Sequence, residues 1–531
     1  MIEAFWIPLL PPYLIGLGLS WAIEALLTPR PVAPWRRPGA AVAVHVGVWT
    51  LAFALELALF RRPYFAVANV LAIELLIVLV SNTKFRALRE PFVYADFEYF
   101  LDAIKHPRLY LPFFGVWRAL AAGSGYLLIL WAGLALEDSV MAGASIWLLS
   151  FLWLAEESSF DRISPIVPFL LHVFAIGIIG AVIGWQGGRR LKWSNEEPAV
   201  DLIELGLAPY LWLYSAEEKK PIQKSLFVES PFHSNEENNG KPGEQPHLLV
   251  VQSESFFDVR RQYPQINREI LTNFDSLKAD AEMHGLVKVK SWGANTVRTE
   301  FGFLSGLPAS KLGVHRFNPY RKLASQSVPT IATYLRSRGY RTICVHPYHG
   351  QFYRRAKVIP LLGFDEFVDI TEFADAERQG VYVGDIALGD YVSGLLNAAK
   401  VPLFIHVITM ENHGPLHWES VSADDFACLS NGSLPLECKD LIAYARHLRN
   451  ADEMFKRLGE SLQASERPGA MCLYGDHVPL MVQVYDQLGY ASGDTDYLIW
   501  RTGLAEAAGL TCDLEIHELA GHFLRRAGIA A

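Results

Sequence analysis

Cysteine is scarce in this chain, with five residues in 531 and none in a Cys-x-x-Cys spacing. That excludes a zinc ribbon or a thioredoxin-type redox motif. Cys428 and Cys438 bracket a loop holding Ser, Asn and Gly, and either pair in an oxidising compartment or stand as two free thiols. Charge is sparse as well: Asp, Glu, Lys and Arg make up 19% of the residues and sum to -9, so no basic surface invites nucleic acid. No glycine-rich phosphate loop follows a predicted strand, which excludes P-loop and dinucleotide folds. No internal repeat is visible.

What the chain does hold is apolar sequence. Hydrophobic residues reach 51% and mean hydropathy is +0.17, too apolar for a purely soluble protein of this length. The excess lies before about Trp185, in runs near 4–27, 40–60, 64–82, 117–136, 140–155 and 163–185. A helix crossing a hydrocarbon core of roughly 30 Å needs about 20 apolar residues, so these predict five or six spans. The fifth run is short, and the first carries Pro8, Pro11 and Pro12. With no small-residue cleavage site after it, the first run reads as a retained span.

Basic residues follow the first run (Arg30, Arg36, Arg37) and the third (Lys84, Arg86, Arg89, Lys105, Arg108). By the positive-inside bias both loops are expected in the cytoplasm, which with six spans puts the N-terminus and the C-terminal half outside. Arg189, Arg190 and Lys192 run against that arrangement. His45, Glu56 and Glu74 lie within apolar runs and are read as pairing groups facing the bundle interior. Residues 82–110 read as an amphipathic segment along the inner interface. A juxtamembrane helix over 201–220 and a polar tether over 215–246 follow. The expected domains are 1–190, spanning the membrane; 191–246, a juxtamembrane helix and linker; and 247–531, a globular unit.

From His247 short apolar runs alternate with amphipathic helices, which predicts an α/β fold with a largely parallel central sheet. Several runs end in polar residues: "HLLVVQSES" at Glu254, "RTICVHPYHG" at His346 and His349, "VPLFIHVITMENHGP" at Glu411 and His413, "MCLYGDHVP" at Asp476 and His477. In such sheets ligands gather at the carboxyl ends of the strands. Glu254, Asp476 and His477 offer two carboxylates and an imidazole, a set suited to a divalent cation. Thr296 lies in a Gly/Asn-containing turn before "TEFGFLSG". It is either a helix cap, with Thr299 the rival, or a nucleophile that needs a metal and a helix N-terminus to activate it. Arg355 presents a fork matched to phosphate oxygens. His413, in a glycine and proline turn, either handles a proton or bonds backbone. His315, Arg316 and Asn318 are further candidates for the cleft.

A multi-span half, a tether, then "VVQSES", "NTVRTEFGFLSG", "FYRR", "ENHGP" and "YGDHVP" in this order resemble the lipoteichoic acid synthase and phosphoglycerol transferase branch of the alkaline phosphatase and sulfatase superfamily. The resemblance implies a sulfatase-like fold. It implies one divalent ion held by Glu254, Thr296, Asp476 and His477, manganese first with zinc or magnesium as alternatives, and Thr296 as nucleophile. His346, Tyr353, Arg355 and His413 become substrate-holding positions; Tyr353 stands where relatives often carry tryptophan, and Met481 near where some carry serine. The implied reaction moves glycerol phosphate from phosphatidylglycerol to a glycan or polymer hydroxyl, through a phospho-threonine, on the outer face of a bacterial cytoplasmic membrane. A phosphoethanolamine transferase resembles this layout but typically carries more cysteines. The Cys/Ser-x-Pro-x-Arg signature of a sulfatase nucleophile is missing around Thr296. A non-catalytic glycan-binding or regulatory envelope protein is the reading from another class.

Overall fold

The computed structural model describes residues 2–98, 100, 115–140, 166–192, 197–233, 245–432, 434–503 and 509–529. The chain forms two compact units, Met1–Lys220 and Pro221–Ala531.

The first unit is helical: α1 (Ile2–Glu24), α2 (Gly39–Phe60), α3 (Pro63–Leu88), α4 (Val116–Leu136) and α5 (Ile166–Gly188), then the shorter α6 (Pro198–Leu205) and α7 (Leu207–Glu218). Among the described residues the first five are long and apolar enough to cross a membrane. The run expected at 140–155 falls almost wholly outside the described residues, as do 99 and 101–110 of the segment 82–110. Helix α5 lies antiparallel and close against α2, because both carry glycine where they touch. A Cβ on Gly47 would lie 2.4 Å from the Gly184 nitrogen, and one on Gly187 would lie 2.7 Å from the Ala40 carbonyl. Small residues at this spacing let backbones approach in lipid, where packing must replace the hydrophobic effect.

This packing corrects the six-span reading of the loops. The end of α5 meets the start of α2, and the α1–α2 loop is tied to the same end through Val32 N–H to the Ile203 carbonyl (2.9 Å). The end of α3 joins them: Asn82 accepts from Thr28 N–H (2.6 Å) and donates to the Leu26 carbonyl (2.8 Å). At the opposite end Glu137, just past α4, accepts from the Tyr64 and Phe65 amides at the start of α3. Arg30, Arg36, Arg86, Arg89, Arg189 and Arg190 therefore share one end, the end at which the last span exits. An odd number of described crossings places the N-terminus at the other.

The pairing expected of the intramembrane polar groups is present for two of them. His45 bonds Ser20 (2.8 Å), and Glu56 accepts from Asn69 (2.7 Å). The supposed tether is partly packed: Phe227 and Phe232 are buried, and Ser230 donates to the Ser305 carbonyl (2.7 Å). Two aromatic side chains in an otherwise polar stretch supply the apolar area that a solvated linker lacks.

The second unit is built on a nine-stranded sheet in the order β10-β2-β9-β8-β1-β7-β3-β4, with β11 against β2. The strands are β1 (His247–Ser253), β2 (Met283–Lys288), β3 (Arg341–Val345), β4 (Glu366–Val368), β7 (Leu403–Ile408), β8 (Gly469–Gly475), β9 (Thr495–Arg501), β10 (Leu510–Thr511) and β11 (Leu514–Glu515); β5 (Arg378–Gln379) and β6 (Tyr382–Val383) form a separate hairpin. Only β9 runs antiparallel to its neighbours. Strands β1, β7 and β8 are buried along their whole length, as parallel strands covered on both faces must be.

Alternation along β1 feeds two cores. Leu249 and Val251 pack with the long helix Lys439–Ala464, and Leu248 and Val250 with helices Thr296–Ser305 and Ile516–Arg526. All five cysteines are free thiols, Cys428 exposed and Cys438 buried.

Candidate metal centre

Register brings the centre together. In the parallel ladder Ser253 of β1 stands opposite Gly475 of β8, and Gln252 opposite Ile408 of β7. The next residues, Glu254, Asp476 and Thr409, therefore emerge side by side at one sheet edge. Glu254 N–H donates to Thr409 Oγ1 (2.9 Å), and Ser255 N–H to Asp476 Oδ1 (2.8 Å). Ser255 turns the chain with φ +54°, a left-handed conformation that non-glycine residues adopt mainly where the surroundings enforce it. Against this turn Gly475 is obligatory, since a Cβ there would sit 1.8 Å from the Phe256 carbonyl.

Glu254, Asp476 and His477 are all buried, and one ligand atom from each lies within 4.8 Å of the others. His477 Nδ1 donates to the Val478 carbonyl (3.1 Å), which leaves the lone pair on Nε2. That nitrogen is 3.4 Å from Asp476 Oδ2 and 3.6 Å from Glu254 Oε1, beyond ordinary hydrogen-bond range. Asp476 Oδ2 is buried with no donor at all. Glu254 Oε1 accepts only from Ser255 Oγ (2.9 Å), so two carboxylates and an imidazole lone pair converge in a buried site with one oxygen lacking any donor, a set that suits a cation. Burial, reinforced by the Asp476 carboxylate, pushes Glu254 up to about 8 from an ordinary 4.5.

Thr296 opens helix α8 (Thr296–Ser305). It is the first helical residue and not the cap: Asn295 holds that position at φ +69° and makes no side-chain capping bond. Thr299, the rival cap, lies one turn further and donates to the Asp476 carbonyl (2.8 Å). The preceding turn is pinned to the same strand end by Gly293 N–H to the Val478 carbonyl (3.1 Å). Thr296 lies between these two ties and, at i−3 from Thr299, on the same helix face. The buried α8 N-terminus thus begins beside Asp476–Val478, where its partial positive charge favours anions.

The family model described as Sulfatase matches residues 246–523, just over half the chain and all of the sheet. The chain belongs to the sulfatase family. Relatives of this sulfatase-family chain include the capsular polysaccharide biosynthesis protein RkpI of Rhizobium meliloti (strain 1021), 26% identical across 87% of this chain and 81% of that protein. A putative cyclic beta-1,2-glucan modification protein of the same organism is 25% identical across 91% and 74%. The integral membrane protein lipooligosaccharide phosphoethanolamine transferase A (EptA) of Neisseria meningitidis is similar over 92% of this chain and 88% of its own. Its TM-score is 0.54 with 14% identity, a likeness of fold.

The remaining candidates of this sulfatase-family unit fall into two groups. His346, which follows β3, donates from Nδ1 to the Ile408 carbonyl (3.1 Å) and receives Arg355 Nη1 on Nε2 (3.3 Å). Burial, then the Arg355 charge, holds this imidazole well below its usual range. Arg355 is itself buried and ion-paired through Nη2 with Glu300 of α8 (2.7 Å), while its Nε is buried with no acceptor. Tyr320 donates to the other oxygen of Glu300. The Tyr353 ring lies 5.3 Å from the Arg355 guanidinium, on a turn where Tyr353 and Arg354 both have positive φ (51° and 56°). Two successive left-handed residues of this size mark a strained segment held by its packing.

His413 belongs with the Met410–Pro415 turn. Its Nδ1 donates to the Gly414 carbonyl (2.8 Å), and the same carbonyl accepts from Tyr382 (3.1 Å). Burial lowers this histidine, against the Gly414 bond and the Asp476 charge. Glu411 is drawn away from the centre: it binds His447 (2.7 Å), Asn450 (2.6 Å) and the Asp385 amide (2.7 Å). Burial would lower His447, but its bonds to Glu411 and Glu419 carry it up to about 9. His315 has Lys322 and Arg321 as its charged neighbours. Sequence reasoning missed Glu300, Thr409, Ser255 and Tyr320. Glu300 alone carried a signal, a carboxylate at i+4 from Thr296 directly before the apolar residues 301–304.

Proposed function

We propose that this chain is a metal-dependent membrane transferase that moves glycerol phosphate from phosphatidylglycerol to a hydroxyl of an envelope glycan, through an ester on Thr296. The observation that supports it most is the set of buried acceptors of Glu254, Asp476 and His477 beside the Thr296 helix end. Such a site suits a divalent ion; one nitrogen with carboxylate and hydroxyl oxygens suits manganese and also takes zinc, and the family resemblance puts manganese first. When bound, the ion supplies the positive charge that lowers the hydroxyl pKa of Thr296 and offsets charge on phosphate.

The chain's own residues do the rest. Thr296 Oγ1 attacks phosphorus, and the bond from phosphorus to the diacylglycerol oxygen breaks. Neutral His413, its Nδ1–H fixed on Gly414, takes the Thr296 hydroxyl proton on Nε2 and passes it to that departing oxygen. In the second half His413 takes the proton of the incoming hydroxyl, whose oxygen displaces Thr296, and returns it to Thr296 Oγ1. Arg355, oriented by His346 Nε2, holds the phosphate through the donors Glu300 does not use, with Tyr353 as an aromatic wall. The curated relatives, named for capsular polysaccharide synthesis and glucan modification, support a glycan acceptor.

In this reading the second unit lies outside the cytoplasmic membrane with the basic end of the bundle, against the usual charge bias. A phosphatase reporter fused after Ala531 is active if that is so, and silent if the unit is cytoplasmic. Thr296→Ala in membranes carrying labelled phosphatidylglycerol abolishes diacylglycerol release; full retained release refutes the mechanism. Mass spectrometry of an intermediate trapped on Thr296 reads the donor directly: added glycerol phosphate supports the proposal, and added phosphoethanolamine replaces it with the other transferase.

A further inference from the structure

The helical unit carries a half-open cavity of about 500 Å³ that no step above uses. Its walls include Val48 and Ala52 of α2, Val70 and Ile77 of α3, and Ala208 and Leu211 of α7. Ser20, His45 and Glu74 interrupt this apolar lining, and Lys219 borders it just past the end of α7.

The cavity begins at the end of the bundle where α5 exits and α7 starts. Ala52 lies 13 residues into α2 from that end, a depth of roughly 20 Å at 1.5 Å per residue. One leaflet of a roughly 30 Å core is about 15 Å deep, so the hole is about one leaflet long. An apolar pocket gains dispersion contacts from an apolar occupant, and in a membrane the apolar molecule at hand is lipid.

Charge selects among lipids. Arg30, Arg36, Arg189, Arg190, Lys192 and Lys219 are exposed at this same end, whereas among its described acids only Glu197 and Glu204 are. Glu24, Glu90 and Asp96 are taken up by Arg37 and Lys84.

We propose that this cavity holds an acyl chain of one anionic glycerophospholipid, with the lipid phosphate against the exposed cations at the rim. That the bound lipid is also the donor rests on the function proposed above; the binding itself does not.

The test is native mass spectrometry of the full chain in detergent micelles given equimolar phosphatidylglycerol and phosphatidylcholine, in a Thr296→Ala background so that turnover plays no part. Phosphatidylglycerol is expected to be retained preferentially. Ala52→Trp and Ala208→Trp, which fill the cavity, each cut retention about tenfold by overpacking. Leu127→Trp on the exposed face of α4 leaves it unchanged. Arg189→Glu with Lys219→Glu, both exposed and outside the core, lowers the preference for the anionic lipid about tenfold. Unchanged retention in folded tryptophan variants overturns the cavity. Equal retention of both lipids, or an unmoved preference in the charge variant, overturns the anionic assignment. Diacylglycerol release is scored separately on the Thr296 parent: lipid retained without release defeats the proposed reaction alone, and release that survives with no retained lipid defeats the cavity alone.

Discussion

Each unit buries an arginine against a glutamate, and the two pairs do different work. In the helical unit Arg37 meets Glu24 at 2.6 Å, and Glu24 also accepts the Leu207 amide at the start of α7. In the α/β unit Arg355 meets Glu300 at 2.7 Å, Tyr320 completes Glu300, and Arg355 reaches on to His346. The first pair ties three chain segments at one end of a bundle and touches none of the centre's residues. The second joins the helix that begins with Thr296 to the strained Tyr353–Arg354 turn. A buried pair is weak support for stability by itself, since desolvation offsets much of the attraction, but removing one partner strands a charge. The comparison therefore separates anchoring from positioning.

The largest expected effect falls on the positioning pair. Glu300→Gln leaves Arg355 unbalanced, costs about 3–5 kcal/mol of stability, and lowers transfer on the order of 100-fold through misplacement of the Thr296 helix end. Denaturant melts paired with diacylglycerol release measure both. Arg37→Met strands Glu24 and costs a similar amount, about 3–5 kcal/mol, yet activity per folded molecule stays within about twofold. A large activity loss there with full folding would erase the distinction.

Metal binding gives a pH signature that the anchoring pair lacks. Burial and Asp476 hold Glu254 protonated up to about 8, while in the unfolded chain it ionises near 4.5. The folded metal-free state thus keeps a proton that the unfolded state releases, and its stability falls as pH rises across that window. Metal must displace the same proton, so manganese affinity rises about tenfold per pH unit up to about 8 and then levels off. Titration calorimetry reads this slope, and a flat profile below pH 8 contradicts it. The smallest effect is at Thr299→Val, which strips the Asp476 carbonyl of its donor and costs about 1–3 kcal/mol. Manganese affinity in that variant falls along with stability if α8 helps place Asp476, and stability alone falls if it does not.

Much of the α/β unit was legible beforehand, because buried parallel strands read as continuous apolar runs and each ended in a polar residue. "HLLVVQSES" and "MCLYGDHVP" pointed to the strand ends carrying Glu254, Asp476 and His477. The helical half was legible as spans, but its loops were not assignable to sides. Charge bias treats each loop alone, whereas the Gly47 and Gly184 contact fixes which ends meet. Thr296 was ambiguous between cap and nucleophile because both roles sit at a helix start. Asn295 taking the cap is a backbone fact, set by a left-handed φ that no residue pattern announced.

The sequence by itself determined that a lipid-embedded bundle precedes an α/β unit, and which residue types wait at the strand ends, since burial and periodicity are local properties of the chain. Tertiary structure decided that Ser253 stands opposite Gly475, that Glu300 pairs with Arg355, and that the basic loops gather where the last span exits. Register, ion pairing and helix direction are relations between segments far apart along the chain, so they exist only once the chain has folded.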